Sequence, residues 1–274
     1  MPGHAKLIQQ KTCRHGVMAF LRADQYIGKA LELYGEYSEA EVELFAKLLS
    51  AGQTVVEVGA NIGAHTIPLA AMVGATGLVV AFEPQSVIFQ ILCANVVLNE
   101  TFNVRTINAG SGVTQGNLKI PYIDYRDAGF NFGGVSLVDV TQGYDVPIIP
   151  LDTLEFASLQ LLKIDVEGME IEVLQGAKNQ IARHRPFLYV ENDRPLLSAA
   201  LISVLEGMGY ELWWHFPLMF SRNNFAQNAT NIFPDVISVN LIGVPEERKF
   251  SMVGFKPVTG PEDRWQNYFA PNPG

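Results

Sequence analysis

The chain has 274 residues, 48% apolar and 17% charged, enough to bury a large core in one domain or two small ones. A net charge of −9 with no basic run disfavours a nucleic-acid substrate. Two cysteines, Cys13 and Cys93, form no disulfide framework and suit a reducing cytoplasm, residues 1–10 are too polar for a signal peptide, and no apolar run reaches the ~20 residues that span a bilayer.

In residues 1–29 the clearest signal is Gly16–Leu21, an apolar run that can form a strand. Residues 31–38 lead into a helix. Ser38 is placed to cap it, with Glu41 as capping-box partner, Val42, Phe45, Leu48 and Leu49 at helical spacing, and Ala51-Gly52 as the stop. Tyr34, Glu36 and Tyr37, just before that helix, either cover a bound ligand or form an ordinary polar loop.

Thr54–Val58 reads as a short buried strand, Gly59 and Gly63 punctuate a turn, and Ile62, Ile67, Leu69 and Ala70 open an apolar helix. Strand, glycine turn and helix are the first unit of a nucleotide-binding α/β sheet. Gly59 is expected to let the backbone pass close to a ligand, with free amides at the helix start facing it. The spacing is Glu57-x-Gly59-x-Asn61-x-Gly63 rather than G-x-G-x-x-G, which argues against an NAD-dependent enzyme. An acid two residues before the first glycine resembles the pattern of S-adenosylmethionine (SAM) methyltransferases. Their ligand carries an ammonium and a sulfonium but no phosphate, so a carboxylate attracts it. A glycine turn that only packs a helix on a strand is the plain alternative.

The second strand, Leu78–Phe82, ends in Glu83-Pro84. An acid there can accept both hydroxyls of a ribose, and a helix follows through Val87, Ile88, Ile91, Leu92 and Val96. Residues 104–109 form the third strand, with Ser111 after it beside the expected adenine. Residues 113–150 break the strand–helix rhythm: 117–124, 133–138 and 146–149 read as an inserted antiparallel flap near the mouth of the site. Residues 161–165 form the fourth strand. Lys163, Asp165 and Glu167 put three charges at its end, as an ion pair or as a functional group of charges. Residues 186–190 form the fifth strand, ending in Glu191-Asn192-Asp193. After a helix through Leu196–Leu205 positions, residues 210–215 and 236–244 close the sheet as an antiparallel pair. Residues 216–235 between them are rich in Phe and Asn, which suits a polyhydroxylated substrate or a loop that pins itself with Asn side chains. The tail, with Trp265 and Tyr268, is expected to pack on the surface.

This order resembles the class I SAM-dependent methyltransferases and, more narrowly, the FkbM family. The matching stretches are 56–63, Phe82-Glu83-Pro84, 151–154, Lys-Ile-Asp-Val-Glu-Gly-Met-Glu at 163–170 followed by 173–177, and the strand ending in Glu191. Glu57 stands where many members carry Asp. The resemblance implies an α/β fold: a Rossmann-like, seven-stranded, mostly parallel sheet with helices on both faces, a closing antiparallel hairpin and a small β insertion after the third strand. Its boundaries would be an N-terminal cap at 1–40, a methyltransferase domain at 41–250 and a tail at 251–274. It implies O-methylation of a small-molecule hydroxyl, on a sugar or a natural-product or glycolipid intermediate. Glu57, Gly59, Asn61 and Gly63 would hold the methionine part of SAM, Glu83 the ribose and Ser111 the adenine, with Asp165 at the reacting centre. Glu191 is the candidate general base. Of the histidines, His215 is placed best as an alternative base, ahead of His65 and His184. Asp165, Glu191 and Asn192 also resemble the metal set of catechol O-methyltransferase, which would make Mg²⁺ a second cofactor. A non-catalytic SAM-binding module within a biosynthetic complex is the rival reading, and the sequence leaves room for a homodimer.

Overall fold

A computed structural model of the chain describes residues 6–127, 129–137, 140–234 and 236–269. Strands β1 (Ile8–Cys13) and β2 (Gly16–Leu21) pair as an antiparallel hairpin, followed by helices α1 (Ile27–Tyr34) and α2 (Glu39–Leu48). Next come β3 (Thr54–Val58), α3 (Thr66–Val73), β4 (Leu78–Phe82), α4 (Ser86–Leu98) and β5 (Val104–Ile107). A second hairpin, β6 (Gly116–Ile120) with β7 (Tyr144–Ile148), precedes β8 (Leu161–Ile164), α5 (Glu170–Gly176), α6 (Lys178–His184) and β9 (Phe187–Glu191). The chain closes with α7 (Pro195–Gly207), β10 (Tyr210–His215), β11 (Asn240–Pro245) and the two-residue β12 (Lys256–Pro257).

The main sheet has the order β12-β10-β11-β9-β8-β3-β4-β5. Strands β5, β4, β3, β8 and β9 run parallel, β11 runs antiparallel beside β9, and β10, antiparallel to β11, again follows the direction of β9. Seven strands match the expected sheet, and β12 is an eighth on its edge. The parallel strands are Val/Ile/Leu-rich because both of their faces are covered. Val55 and Val79 pack against Phe45 and Leu48 of α2 and Leu69 and Val73 of α3. Val56, Val58, Val80 and Phe82 pack against Val173 of α5, Ile181 of α6 and Leu201 and Leu205 of α7.

The N-terminal hairpin is tied down by two side-chain amides, Asn95 of α4 and Asn99 just after it. Asn95 donates to the carbonyls of Ala19 and Ile62 and accepts from Ala19 N, and Asn99 exchanges a pair of bonds with Val17. Side chains thus satisfy part of an edge strand's backbone, as buried peptide groups require.

Several local expectations are corrected. Helix α1 was not foreseen, although Ile27, Ala30, Leu31 and Tyr34 have the i, i+3, i+4, i+7 spacing of a buried stripe. Gly35, at φ 66°, ends it. Ser38 does not cap a backbone amide: it sits at φ 44°, and its hydroxyl donates to Glu41 Oε1 at 2.7 Å. Helix α2 stops at Leu48, before Ala51-Gly52. In the insertion, residues 133–137 are irregular rather than a strand, and position 138 lies outside the described residues. The tail packs as expected: Trp214 Nε1 and the Tyr268 hydroxyl both donate to Asp263. Among the described residues no helix is long and apolar enough to cross a membrane.

Candidate active site

The carboxyl ends of β3, β4, β8 and β9 open into a cavity of about 380 Å³, within the size range of small-molecule sites. The glycine turn after β3 forms one wall, but its amides are already used. Gly59 N and Ala60 N both donate to Phe82 O, Asn61 N to Glu83 Oε2, Ile62 N to the Asn61 side chain and Gly63 N to Ala60 O. The expectation of free amides facing a ligand therefore fails for residues 59–63. The role expected for Gly59 is corrected too: a Cβ there would lie 1.8 Å from the Asp165 carbonyl oxygen, so protein backbone rather than ligand demands the glycine. Gly63 is outside the cavity wall, and its missing Cβ makes room for Leu92 of α4.

Glu83 is fixed at the end of β4. Its Oε2 accepts from Asn61 N at 2.9 Å and its Oε1 from Gln85 N at 2.8 Å, leaving further lone pairs on both oxygens. Burial pushes its carboxyl up to about 7 against the pull of those two N–H groups. Ser111 lies across the wall, buried, with its hydroxyl unpartnered.

Glu57, 1% exposed, accepts from the Thr66 hydroxyl at 2.6 Å and lies 3.7 Å from Lys163 Nζ. Lys163 also donates to Asp165 Oδ2 at 3.2 Å. Burial alone would lower the Lys163 ammonium, but Asp165, Glu57 and Glu41 together raise it, so it stays charged. The ion pair and the site were alternatives in the sequence, yet the structure shows one object: a buried lysine holding the acids that line the cavity.

Asp165, Glu167 and Glu191 bring carboxylate oxygens within 4.8 Å of one another. Glu167 is paired with Arg194 at 2.7 Å, and Glu191 Oε2 has no partner. Burial, then Asp165 and Glu167, push the Glu191 carboxyl well above its ordinary range. The metal set expected here does not assemble. Asn192 follows Glu191 on the strand, so its side chain takes the opposite face and donates to Ser198 at 3.0 Å. Glu167 stands in its place and is already committed to an arginine, so these residues do not fit the Mg²⁺ set expected.

His215 is corrected as well. Its Nδ1 pairs with the Tyr189 hydroxyl at 2.8 Å, and it lines a second cavity with Glu39 and Glu43. Strand β10 is two strands from β9, about 10 Å at ordinary spacing. His65 is the histidine in the main cavity. It is buried beside Tyr37 and Phe45, with Nε2 unpartnered and 4.0 Å from Glu41 Oε2. Burial, then Lys163, hold its imidazole well below its ordinary range, hence neutral.

The segments around the sheet complete the wall with Tyr37, one of the three residues expected as a cover, and with Glu41, Met219 and Asn240, which sequence reasoning did not place there. Tyr34 and Glu36 act differently from the expected cover. The Tyr34 hydroxyl donates to Thr230 O and accepts from Ile232 N, and Glu36 accepts from Phe225 N, so both anchor the 216–235 loop. The Asn side chains there bond within the loop, as Asn224 does to Ser221 O and Asn228 O.

Comparison with known proteins shows the family. The Methyltransferase FkbM domain matches residues 57–212, more than half of the chain. Methyltransferase sdnD of Sordaria araneosa is 26% identical over 199 residues, covering 60% of this chain and 76% of the relative. The crystal structure of methyltransferase FkbM from Methylobacillus flagellatus shares 17% identity over 74% of this chain, with a TM-score of 0.46, and the match spans half of that protein's length. Aeropyrum pernix fibrillarin, solved with natively bound SAM, shares 11% identity over 87% of this chain and 94% of its own, with a TM-score of 0.46. The chain belongs to the FkbM family of methyltransferases.

Proposed function

We propose that the chain transfers the methyl group of SAM to a hydroxyl oxygen of a small molecule, a sugar or a natural-product or glycolipid intermediate. The observation that carries this reading is one cavity with two unlike ends. At one end Glu83 presents two pre-oriented oxygens and Ser111 a buried hydroxyl without a partner. At the other, Glu191 presents an unpartnered oxygen beside Asp165. The first end fits a ribose and an adenine, whose polar edges would satisfy groups the protein leaves open. Glu57 and Asp165, balanced by Lys163, would face the ammonium of the methionine part.

When bound, SAM supplies a methyl group already activated by the sulfonium. The protein's own task is then to align the hydroxyl and take its proton. Glu191 is placed for that. Burial, then its crowding with Asp165 and Glu167, raises its proton affinity, the direction that favours taking up a proton. Tyr37, His65 and Met219 line the same cavity and would close its acceptor side.

The test uses SAM labelled in the methyl group and a panel of sugars and lipid-linked intermediates, with S-adenosylhomocysteine titration as the binding control. Glu191→Gln is expected to lower turnover about 100-fold or more while leaving cofactor affinity within about threefold, the size of a lost general base. Full turnover in Glu191→Gln would remove Glu191 from the mechanism. Tight cofactor binding with no product from any hydroxyl acceptor would favour the binding-module reading.

A further inference from the structure

Two neighbouring polar atoms on the acceptor side are left open, and their chemistry is complementary. Strand β11 runs antiparallel to β9, with Asn240 directly opposite Glu191. Directly opposed residues project from the same face, with Cβ atoms about 5 Å apart. Asn240 is 4% exposed, lines the cavity, and its Nδ2 has no hydrogen-bond partner. Glu191 Oε2 has none either, and the two do not bond each other. On the far side of Asn240 lies His215, whose Nδ1 is already held by Tyr189. A donor and an acceptor thus stand side by side, both buried and both unsatisfied. Such groups are costly to leave unmade and rare unless a ligand completes them.

We infer that Asn240 and Glu191 form a donor–acceptor pair that selects a hydroxyl over an ammonium as the group held at the acceptor position. This inference rests on the methyl-transfer reading above. A hydroxyl has one hydrogen to give to Glu191 and lone pairs to accept from Asn240 Nδ2. An ammonium satisfies Glu191 but has no lone pair, so it sets its own N–H against that of Asn240. The distinction matters because the surroundings alone would favour the wrong group. Asp165, Glu167 and Asp193 line the same side and attract cations. Asn240 supplies the repulsive element that specificity requires. It also lies outside the stretch 57–212 that matches the family domain, so the pair joins a family position to one supplied by the rest of this chain.

The experiment loads the full chain with S-adenosylhomocysteine and measures binding of cyclohexanol and of cyclohexylamine, a cation at pH 7.5, by saturation-transfer NMR. The two probes match in shape. In the wild-type protein the alcohol is expected to bind at least tenfold tighter than the ammonium. Asn240→Asp, close in size, is expected to reverse that order, and Asn240→Leu to abolish the alcohol's advantage. S-adenosylhomocysteine affinity should stay within twofold in all three, which also shows that the variants fold. The inference is overturned if the ammonium binds wild type as tightly as the alcohol, if neither probe binds the loaded protein, or if Asn240→Asp leaves the ratio unchanged. Failure of wild type to bind S-adenosylhomocysteine at all is a separate outcome. It sinks the methyl-transfer reading, and this inference with it.

Discussion

Glu83 ties cofactor binding to pH in a way that can be worked through. Burial, resisted by the Gln85 and Asn61 amides, lifts its carboxyl to about 7 from an ordinary 4.5. In the free protein the protonated form is favoured, so the stabilisation from Glu83 is present below its unfolded pKa and lost as pH rises through about 7. Two ribose hydroxyls donating to the carboxylate would favour the charged form and draw its pKa back down. Ligand affinity should then fall about tenfold per pH unit below 7, since each unit is worth about 1.4 kcal/mol. Between pH 7, where half of the carboxyl is already protonated, and pH 5.5 that amounts to roughly 15-fold, with Glu83 releasing up to one proton on binding. Calorimetry of S-adenosylhomocysteine at pH 5.5, 6, 7 and 8, in buffers of different ionisation enthalpy, reads both quantities. Glu83→Gln should flatten the profile and weaken binding at pH 8 by about ten- to 100-fold, the worth of hydrogen bonds to a charged group. A wild-type profile flat from pH 5.5 to 8, or one unchanged in Glu83→Gln, would refute the ribose assignment.

Two further predictions concern the frame of the site. Lys163→Met leaves Glu57, Glu41 and Asp165 without their shared cation, so urea denaturation should show a loss of about 3–5 kcal/mol. The loss should be largest at alkaline pH and shrink as the acids protonate, because removing the lysine raises their proton affinity further. Gly59→Ala places a Cβ 1.8 Å from a backbone oxygen at φ 87°, and should cost about 3–5 kcal/mol in the same assay even without ligand. A ligand-only role for that glycine would instead leave the free protein's stability unchanged.

Much of this site could be read from the sequence because parallel strands advertise themselves. An apolar run covered on both faces ends abruptly in a polar residue, and the sheet sets those ends side by side. Glu83, Asp165 and Glu191 became visible in that way, Glu57 by its spacing to Gly59, and all four line the cavity. Periodicity failed where strand order decided the outcome. His215 has the same facing as Asn240 and Glu191, since the three are in register. The hairpin was foreseen, but not that β10 lies outside β11, which carries His215 away from the site. Asn192 failed by one residue, the smallest step that changes face. Glu167 was turned inward by a loop, at φ 60°, that no side-chain pattern announces. Glu41 was seen, but as half of a capping box. Its carboxylate does meet Ser38, although as an acid of the cavity wall rather than as a helix cap.

The surplus of acid in the cavity has a physical reading once these placements are joined. Seven carboxyl groups line the wall, and Lys163 is the one lysine or arginine among the described lining residues. Burial pushes Glu41 and Glu83 up to about 7 and, with Asp165, Glu167 up to about 8. Near neutral pH the free cavity therefore holds protons that a cationic ligand would displace, so binding and proton release are coupled. On the proposed reading, methyl transfer removes one positive charge from the cavity and the acceptor hydroxyl gives up one proton. The acids around Glu191 gain proton affinity as that cation is lost, because like charges are no longer offset. The crowding that costs the free protein stability would thus give the released proton a place to go. A second buried cation beside Lys163 would relieve the crowding, but it would also weaken both the attraction for the cofactor and the pull on the hydroxyl.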